Sequence, residues 1–329
     1  MSEKELFREI ERLQSLLEET PQDPVLHKEL GNLFYRSDAL DLALEEYRTA
    51  LHIHPDFFEA QYNLGNIFFR LRHPWKAIAA WMEALVMNPR LESARFNVGF
   101  AFFHLSEYEE ALFQFRRAEQ ITPDSPDTFF YQGMCHFEIG NYQKAVDCYR
   151  KALDLDPDNE EVHYNIGNAL YETGEFLKAA RHYNVAFEKN PADYNALNNI
   201  ADCYRCTGML EEAKKHIEQV MRLNKDYAPA YCTLGEVYLR ENKIDDAVSQ
   251  FRKVLSLTKT ESDSCDKPES DNALHRYALE MIHGLGYGRE SEKIDPQTEE
   301  SAQTALRKKI RRKSKSPISN TALAAKPGA

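Results

Sequence analysis

The side chains best placed to do chemistry in this chain are amides, not nucleophiles. Asn63, Asn97, Asn165 and Asn199 stand 34, 68 and 34 residues apart. A primary amide both donates and accepts hydrogen bonds, so a spaced series can pair with an extended peptide backbone whatever its sequence. A second set is aromatic: Phe68, Phe69, Phe96, Phe100, Phe102, Phe103, Phe129, Phe130 and Phe137 crowd one part of the chain. Aromatic surface supplies anchor energy at interfaces. No nucleophile, base and orienting acid can be assembled from the remainder, so no enzyme is expected. Cys203 and Cys206 have CxxC spacing, but no second pair completes a zinc site, and neither metal nor cofactor is expected. His52 and His54 flank a helix end, while His136 and His163 are single groove or core residues.

The positions of these residues follow a 34-residue period, best read in residues 160–193. Glycine fills the eighth place as Gly31, Gly65, Gly99, Gly133, Gly167 and Gly235, with Ala201 substituting once. Alanine fills the twentieth place in all seven copies, from Ala43 to Ala247, and Pro55, Pro89, Pro123, Pro157 and Pro191 fill the thirty-second. A fixed period of this length marks a tandem repeat. Tyr164, Ile166, Gly167, Leu170 and Tyr171 recur at helical spacing. Gly174 then offers a left-handed stop. A second helix runs from about Phe176 to Phe187, before Pro191, which cannot continue the ladder. Glycine inside a helix costs roughly 1 kcal/mol, so Gly167 implies a close helix–helix contact, with Ala179 opposite it.

Taken in order, the eighth (Gly/Ala), eleventh (Phe34, Phe68, Phe102, Leu170, Tyr204, Tyr238), twentieth (Ala), twenty-fourth (Tyr47, Trp81, Phe115, Tyr149, Tyr183, Phe251) and thirty-second (Pro) places resemble the tetratricopeptide repeat. The resemblance covers residues 24–261 and implies an all-α, right-handed superhelical solenoid of helix-turn-helix repeats. Local departures are His136, Ile217, Val254, Lys225 and Lys259. Seven units follow: 24–57, 58–91, 92–125, 126–159, 160–193, 194–227 and 228–261. Residues 1–23 supply an amphipathic N-terminal cap through Leu6, Ile10, Leu13, Leu16 and Leu17. Residues 262–288 hold a polar break and a capping helix that Asp271 can start. GLGYG, Gly284 to Gly288, follows a helix and not a strand, so it reads as a terminator and not a phosphate loop. Residues 289–329 are polar in composition, expected to be a disordered tail.

In the family, first helices line the concave wall through places 2, 5, 6, 9, 12 and 13. Carried onto this chain, that resemblance gives a groove of Lys28, Asn32, Tyr62, Asn63, Asn66, Phe69, Arg70, Phe96, Asn97, Phe100, Phe103, Phe130, Tyr131, Tyr164, Asn165, Asn168 and Asn199. Asp202 and Arg205 close the series. The sixth-place asparagines are similar to the ladder in O-linked N-acetylglucosamine transferase repeats, interrupted here by Tyr131. The carboxylate clamp of the family fits at Lys28, Asn32 and Asn63, but Ser93 and Asn97 stand where basic residues are needed. Without them, bidentate grip on a terminal carboxylate fails.

Charge separates the tail from the repeats. The chain is −12 overall, yet residues 307–329 hold eight basic and no acidic residues. Arg307, Lys308, Lys309, Arg311, Arg312, Lys313 and Lys315 form the cluster. Its candidate partners are the acidic groove residues Asp127, Glu138, Glu161 and Glu172, or nucleic acid or anionic membrane. No apolar run reaches membrane-span length. The start lacks a secretory signal's apolar core, and six scattered cysteines fit a reducing compartment. The cytoplasm is expected. The leading expectation is a non-catalytic interaction scaffold or chaperone that holds a peptide or helix of a partner protein in its groove. Alternatives are a repeat subunit presenting substrates to a separate glycosyltransferase-type enzyme, or nucleic-acid or membrane binding through the tail. Self-association stays open.

Overall fold

A computed structural model describes residues 3–258 and 269–287, all of whose regular elements are α-helices. The helices divide into two compact groups, within Met1–Pro157 and Asp158–Ala329. The first group opens with α1 (Glu3–Glu19) and continues as four hairpins. These are α2 (Pro24–Arg36) with α3 (Leu40–Ile53), α4 (Phe58–Arg70) with α5 (Pro74–Met87), α6 (Glu92–His104) with α7 (Tyr108–Ile121), and α8 (Pro126–Glu138) with α9 (Tyr142–Leu155). The second group holds α10 (Glu160–Glu172) with α11 (Phe176–Lys189), α12 (Tyr194–Thr207) with α13 (Leu210–Leu223), α14 (Ala228–Arg240) with α15 (Ile244–Thr258), and α16 (Glu269–Gly284). Within each group every helix packs on its successor, and α2 touches α4, α6 touches α8 and α12 touches α14. The fold class is therefore all-α, built from consecutive helix-turn-helix pairs.

Local chemistry sets the ends of these helices. Asp23 caps α2 by accepting from the Val25 and Leu26 amides at 2.8 and 3.3 Å, with Pro24 next in line. The turn inside each hairpin passes through one left-handed residue. Gly174 adopts it with φ +81°, whereas Ser106 adopts it with φ +61° and no glycine to ease it. Second helices run slightly further than their pattern suggested: α11 ends at Lys189, not near Phe187. At the C-terminal end α16 starts at Glu269, so Asp271 lies inside the helix and is not its cap. Gly286, at φ +86°, then closes α16: its amide bonds the His283 carbonyl and the Tyr287 amide bonds the Ile282 carbonyl. That is a Schellman stop, so GLGYG terminates a helix.

The repeated glycine faces the twenty-fourth-place ring, a correction to the expected contact with the twentieth-place alanine. A methyl on Gly31 would lie 2.7 Å from the Tyr47 ring, on Gly65 2.4 Å from Trp81, and on Gly167 2.6 Å from Tyr183. The exception follows the same rule. Where Ala201 replaces glycine, the twenty-fourth place holds Ile217, and both are buried. These rings, with the alanines beside them, form the core: Leu13, Leu30, Phe34, Tyr47 and Ile67 around α1–α4, then Ile78, Trp81, Leu85 and Val98 around α5–α6. In the second group, Phe251, Val254, Leu274, Ala278, Met281 and Ile282 join α14, α15 and α16.

Candidate functional site

The asparagines are already engaged with the chain itself. Trp81 has only a donor, so Asn66 must present its oxygen to Trp81 Nε1, at 3.1 Å. The Asn97 amide of the next repeat donates to that oxygen at 3.2 Å and to the Tyr62 hydroxyl at 3.1 Å. One repeat earlier the arrangement is the same: Tyr47 donates to Asn32 Oδ1 at 2.7 Å, and Asn63 Nδ2 donates to it at 2.8 Å. In the second group Tyr183 donates to Asn168 at 2.8 Å and Asn199 donates to the Tyr164 hydroxyl at 3.0 Å. Asn165 bonds back to the Glu161 carbonyl at 2.9 Å. The ninth-place carbonyl thus holds the second helix of its own repeat, and the sixth-place amides of Asn63, Asn97 and Asn199, though not Asn165, reach back to the repeat before. Spacing alone does not separate this tethering from pairing with a peptide, since both need an amide every 34 residues.

Between these tethers the first helices of the first group carry a continuous half-exposed aromatic patch. Phe69 meets Phe100 with ring centres 5.7 Å apart, and Phe100 meets His104 at 4.4 Å and Tyr131 at 5.2 Å. Phe96 joins through Tyr131 at 5.5 Å and stacks alongside Phe100 at 6.4 Å. Burial and the charge of Arg72 hold the His104 imidazole below its ordinary range, so at neutral pH it adds an uncharged ring. Two expected members are missing from the surface. Phe103 and Phe130 are only 5% and 9% exposed and lie beneath Tyr131, at 5.9 and 5.3 Å. The helix period places both on the inner side of their own helices, but Phe103 packs against Tyr131 of the next repeat and Phe130 against Tyr131 and Tyr149 of its own.

The basic groove residues have local partners. Lys28 pairs with Glu29 at 2.6 Å, and Arg70 lies over the Tyr35 ring while bonding Asp38 at 2.8 Å. The tail residues from Arg307 to Lys315 lie outside the described residues. Cys203 is buried on α12, and burial pushes the Cys206 thiol up to about 11, away from a reactive thiolate.

A buried charged cluster in the second group emerges as a unit only in three dimensions. Arg205 is buried with Asp202 and Glu236 as its ion partners, Nη1 reaching Glu236 at 3.1 Å. Tyr171 donates to Asp202, and Tyr277 of α16 donates to Glu236. The carboxylates hold the Arg205 guanidinium charged despite its burial. The signal was present in register: acids replace asparagine at the ninth place in Asp202 and Glu236, and arginine replaces an aromatic ring at the twelfth.

Set beside known proteins, the chain gives consistent matches of family and fold. A family described as TPR repeat matches residues 31–71 and 133–174. Three described as tetratricopeptide repeat match 62–126, 160–193 and 192–260. No curated protein matches at a significant level. Among solved structures, a tetratricopeptide repeat protein from Parabacteroides merdae is 20% identical with a TM-score of 0.57, covering 78% of this chain and 98% of that one. Pseudomonas aeruginosa pilF is 20% identical, TM-score 0.53, over 63% of this chain and 94% of its own. YrrB, described as a TPR protein with an unusual peptide-binding site, is 18% identical, TM-score 0.51, over 56% and 95%. Family matches run through residues 31–126 and 133–260 on a fold of paired helices, and the chain belongs to the tetratricopeptide repeat family.

Proposed function

We propose that the chain is a non-catalytic protein-interaction scaffold that holds an apolar segment of a partner protein on the first-helix face of its first group. One observation carries this reading: Phe69, Phe96, Phe100, His104 and Tyr131 form one uncharged aromatic surface left half-exposed by α4, α6 and α8. A folded chain buries such rings when it can, and clustered rings at a surface are the residues that dominate binding energy when a partner covers them. The tethered asparagines around the patch, Asn63, Asn66 and Asn97, each keep hydrogen-bonding capacity beyond the bonds described, which serves a peptide's backbone at the margin. The likeness to YrrB is one of fold, and the reading does not depend on it. A chaperone role is one form such a scaffold takes.

The test begins with peptides selected from a random library on the full-length protein. Fluorescence anisotropy then compares wild type with Phe100→Ser, and with Asn165→Ala in the second group as a control. The proposal expects Phe100→Ser to weaken the selected peptides at least about ten-fold, or 1.4 kcal/mol, with the control unchanged. Peptides bound equally well by Phe100→Ser would place the site elsewhere.

A further inference from the structure

A second surface, on the opposite helix of the second repeat, goes beyond this groove reading. We infer that the outer face of α5 is where a second copy of this chain docks, antiparallel, about a two-fold axis. The outward stripe of α5 is Trp75, Ala79, Met82 and Val86, with Trp75 60%, Met82 40% and Val86 81% exposed. At the same four places α3 has Asp41, Glu45, Arg48 and His52, and α9 has Gln143, Asp147, Arg150 and Asp154. The stripe is not a displaced core. The inner side of α5 buries Ala77, Ile78, Trp81, Ala84 and Leu85. Phe113 on α7, at the place equivalent to Ala79, is exposed as well.

What identifies the occupant is that the stripe is its own complement. Its steps of four, three and four residues are the seam of a coiled coil, in which a and d residues of one helix meet d and a residues of an antiparallel partner. With the axis between Ala79 and Met82, Trp75 faces Val86 of the second copy, and Ala79 faces Met82, a large side chain against a smaller one in each layer. Lys76 and Glu83 are both exposed along one edge of the stripe. The same axis brings Lys76 of each copy to Glu83 of the other, twice. On α7, Glu110 and Arg117 occupy the same two places and repeat the pattern of opposite charge. A standard interface buries about 800 Å² per partner. The stripe supplies its apolar centre and these charges its polar rim, which fits a reversible dimer.

Sedimentation velocity of the full-length chain, from low to high micromolar concentration, tests this. Wild type should move from the mass of one chain toward two. Ala79→Glu, at an exposed position where helicity is checked by circular dichroism, should leave only monomer. Lys76→Glu should raise the dissociation constant about ten-fold or more, and Lys76→Glu combined with Glu83→Lys should restore it. A wild type that stays monomeric throughout overturns the inference, and a different protein covering the stripe would show itself that way. A dimer that survives Ala79→Glu, or charge reversal that fails to rescue, overturns it as well.

Discussion

Glycine in mid-helix is unfavourable by roughly 1 kcal/mol relative to alanine, so propensity alone favours Gly167→Ala. Packing says the opposite. The added methyl would stand 2.6 Å from the Tyr183 ring, which is buried and bonded to Asn168 and cannot swing away freely. Overpacking a filled site costs about 1–3 kcal/mol, enough to reverse the sign. Gly167→Ala should therefore unfold at lower denaturant than wild type; a stabilised variant would show that the ring yields. The sequence carried half of this. It showed that the eighth place must be small, but the partner of Gly167 is a ring four positions further along the second helix than expected, Tyr183 and not Ala179. Ala201 with Ile217 was the clue, since a smaller twenty-fourth side chain accompanies the larger eighth one.

Helices in this chain are joined by polar bonds between buried or half-buried groups, and their titration follows from that. Burial raises the Tyr47, Tyr62 and Tyr183 hydroxyls, and pushes Tyr164 up to about 12. Tyrosine in the unfolded chain ionises near about 10. Because the folded values are raised, the stability tied to these hydroxyls is whole below about pH 10 and is lost as pH climbs toward 12. Alkaline titration should thus show a late share of phenolate absorbance appearing together with loss of helical circular dichroism. Full ionisation while the helices persist would contradict the burial of these hydroxyls. Helix pairing was legible because the repeat period and the turn glycines set it locally. Burial of Phe103 and Phe130 was not legible, because a helix's own period gives its inward side but not which rings pack over it, Tyr131 of the next repeat on Phe103 and Tyr149 of the paired helix on Phe130. The buried cluster of Asp202, Arg205 and Glu236 was only half legible: Asp202 and Arg205 lie one turn apart on α12, but Glu236 comes from the next repeat and meets Arg205 only after stacking.

At the scale of the molecule, the repeated fold is ordinary to its family, and what distinguishes this chain lies in the places where a repeat departs from its neighbours. Phenylalanine at Phe96 and Phe100, and tyrosine at Tyr131, interrupt a polar first-helix series and make the aromatic patch. Trp75, Ala79, Met82 and Val86 interrupt a charged second-helix series and make the outer stripe. Because Asn63 and Asn97 are tethered within the chain, the proposed function rests on the rings and not on the amides. The most direct measurement is photo-crosslinking from a library-selected peptide bound to the full-length protein, with the attachment points located by mass spectrometry. Crosslinks concentrated in α4, α6 and α8 around Phe69, Phe100 and Tyr131, and lost in Phe100→Ser, are the predicted result. Crosslinks confined to other helices, or unchanged in Phe100→Ser, would contradict it.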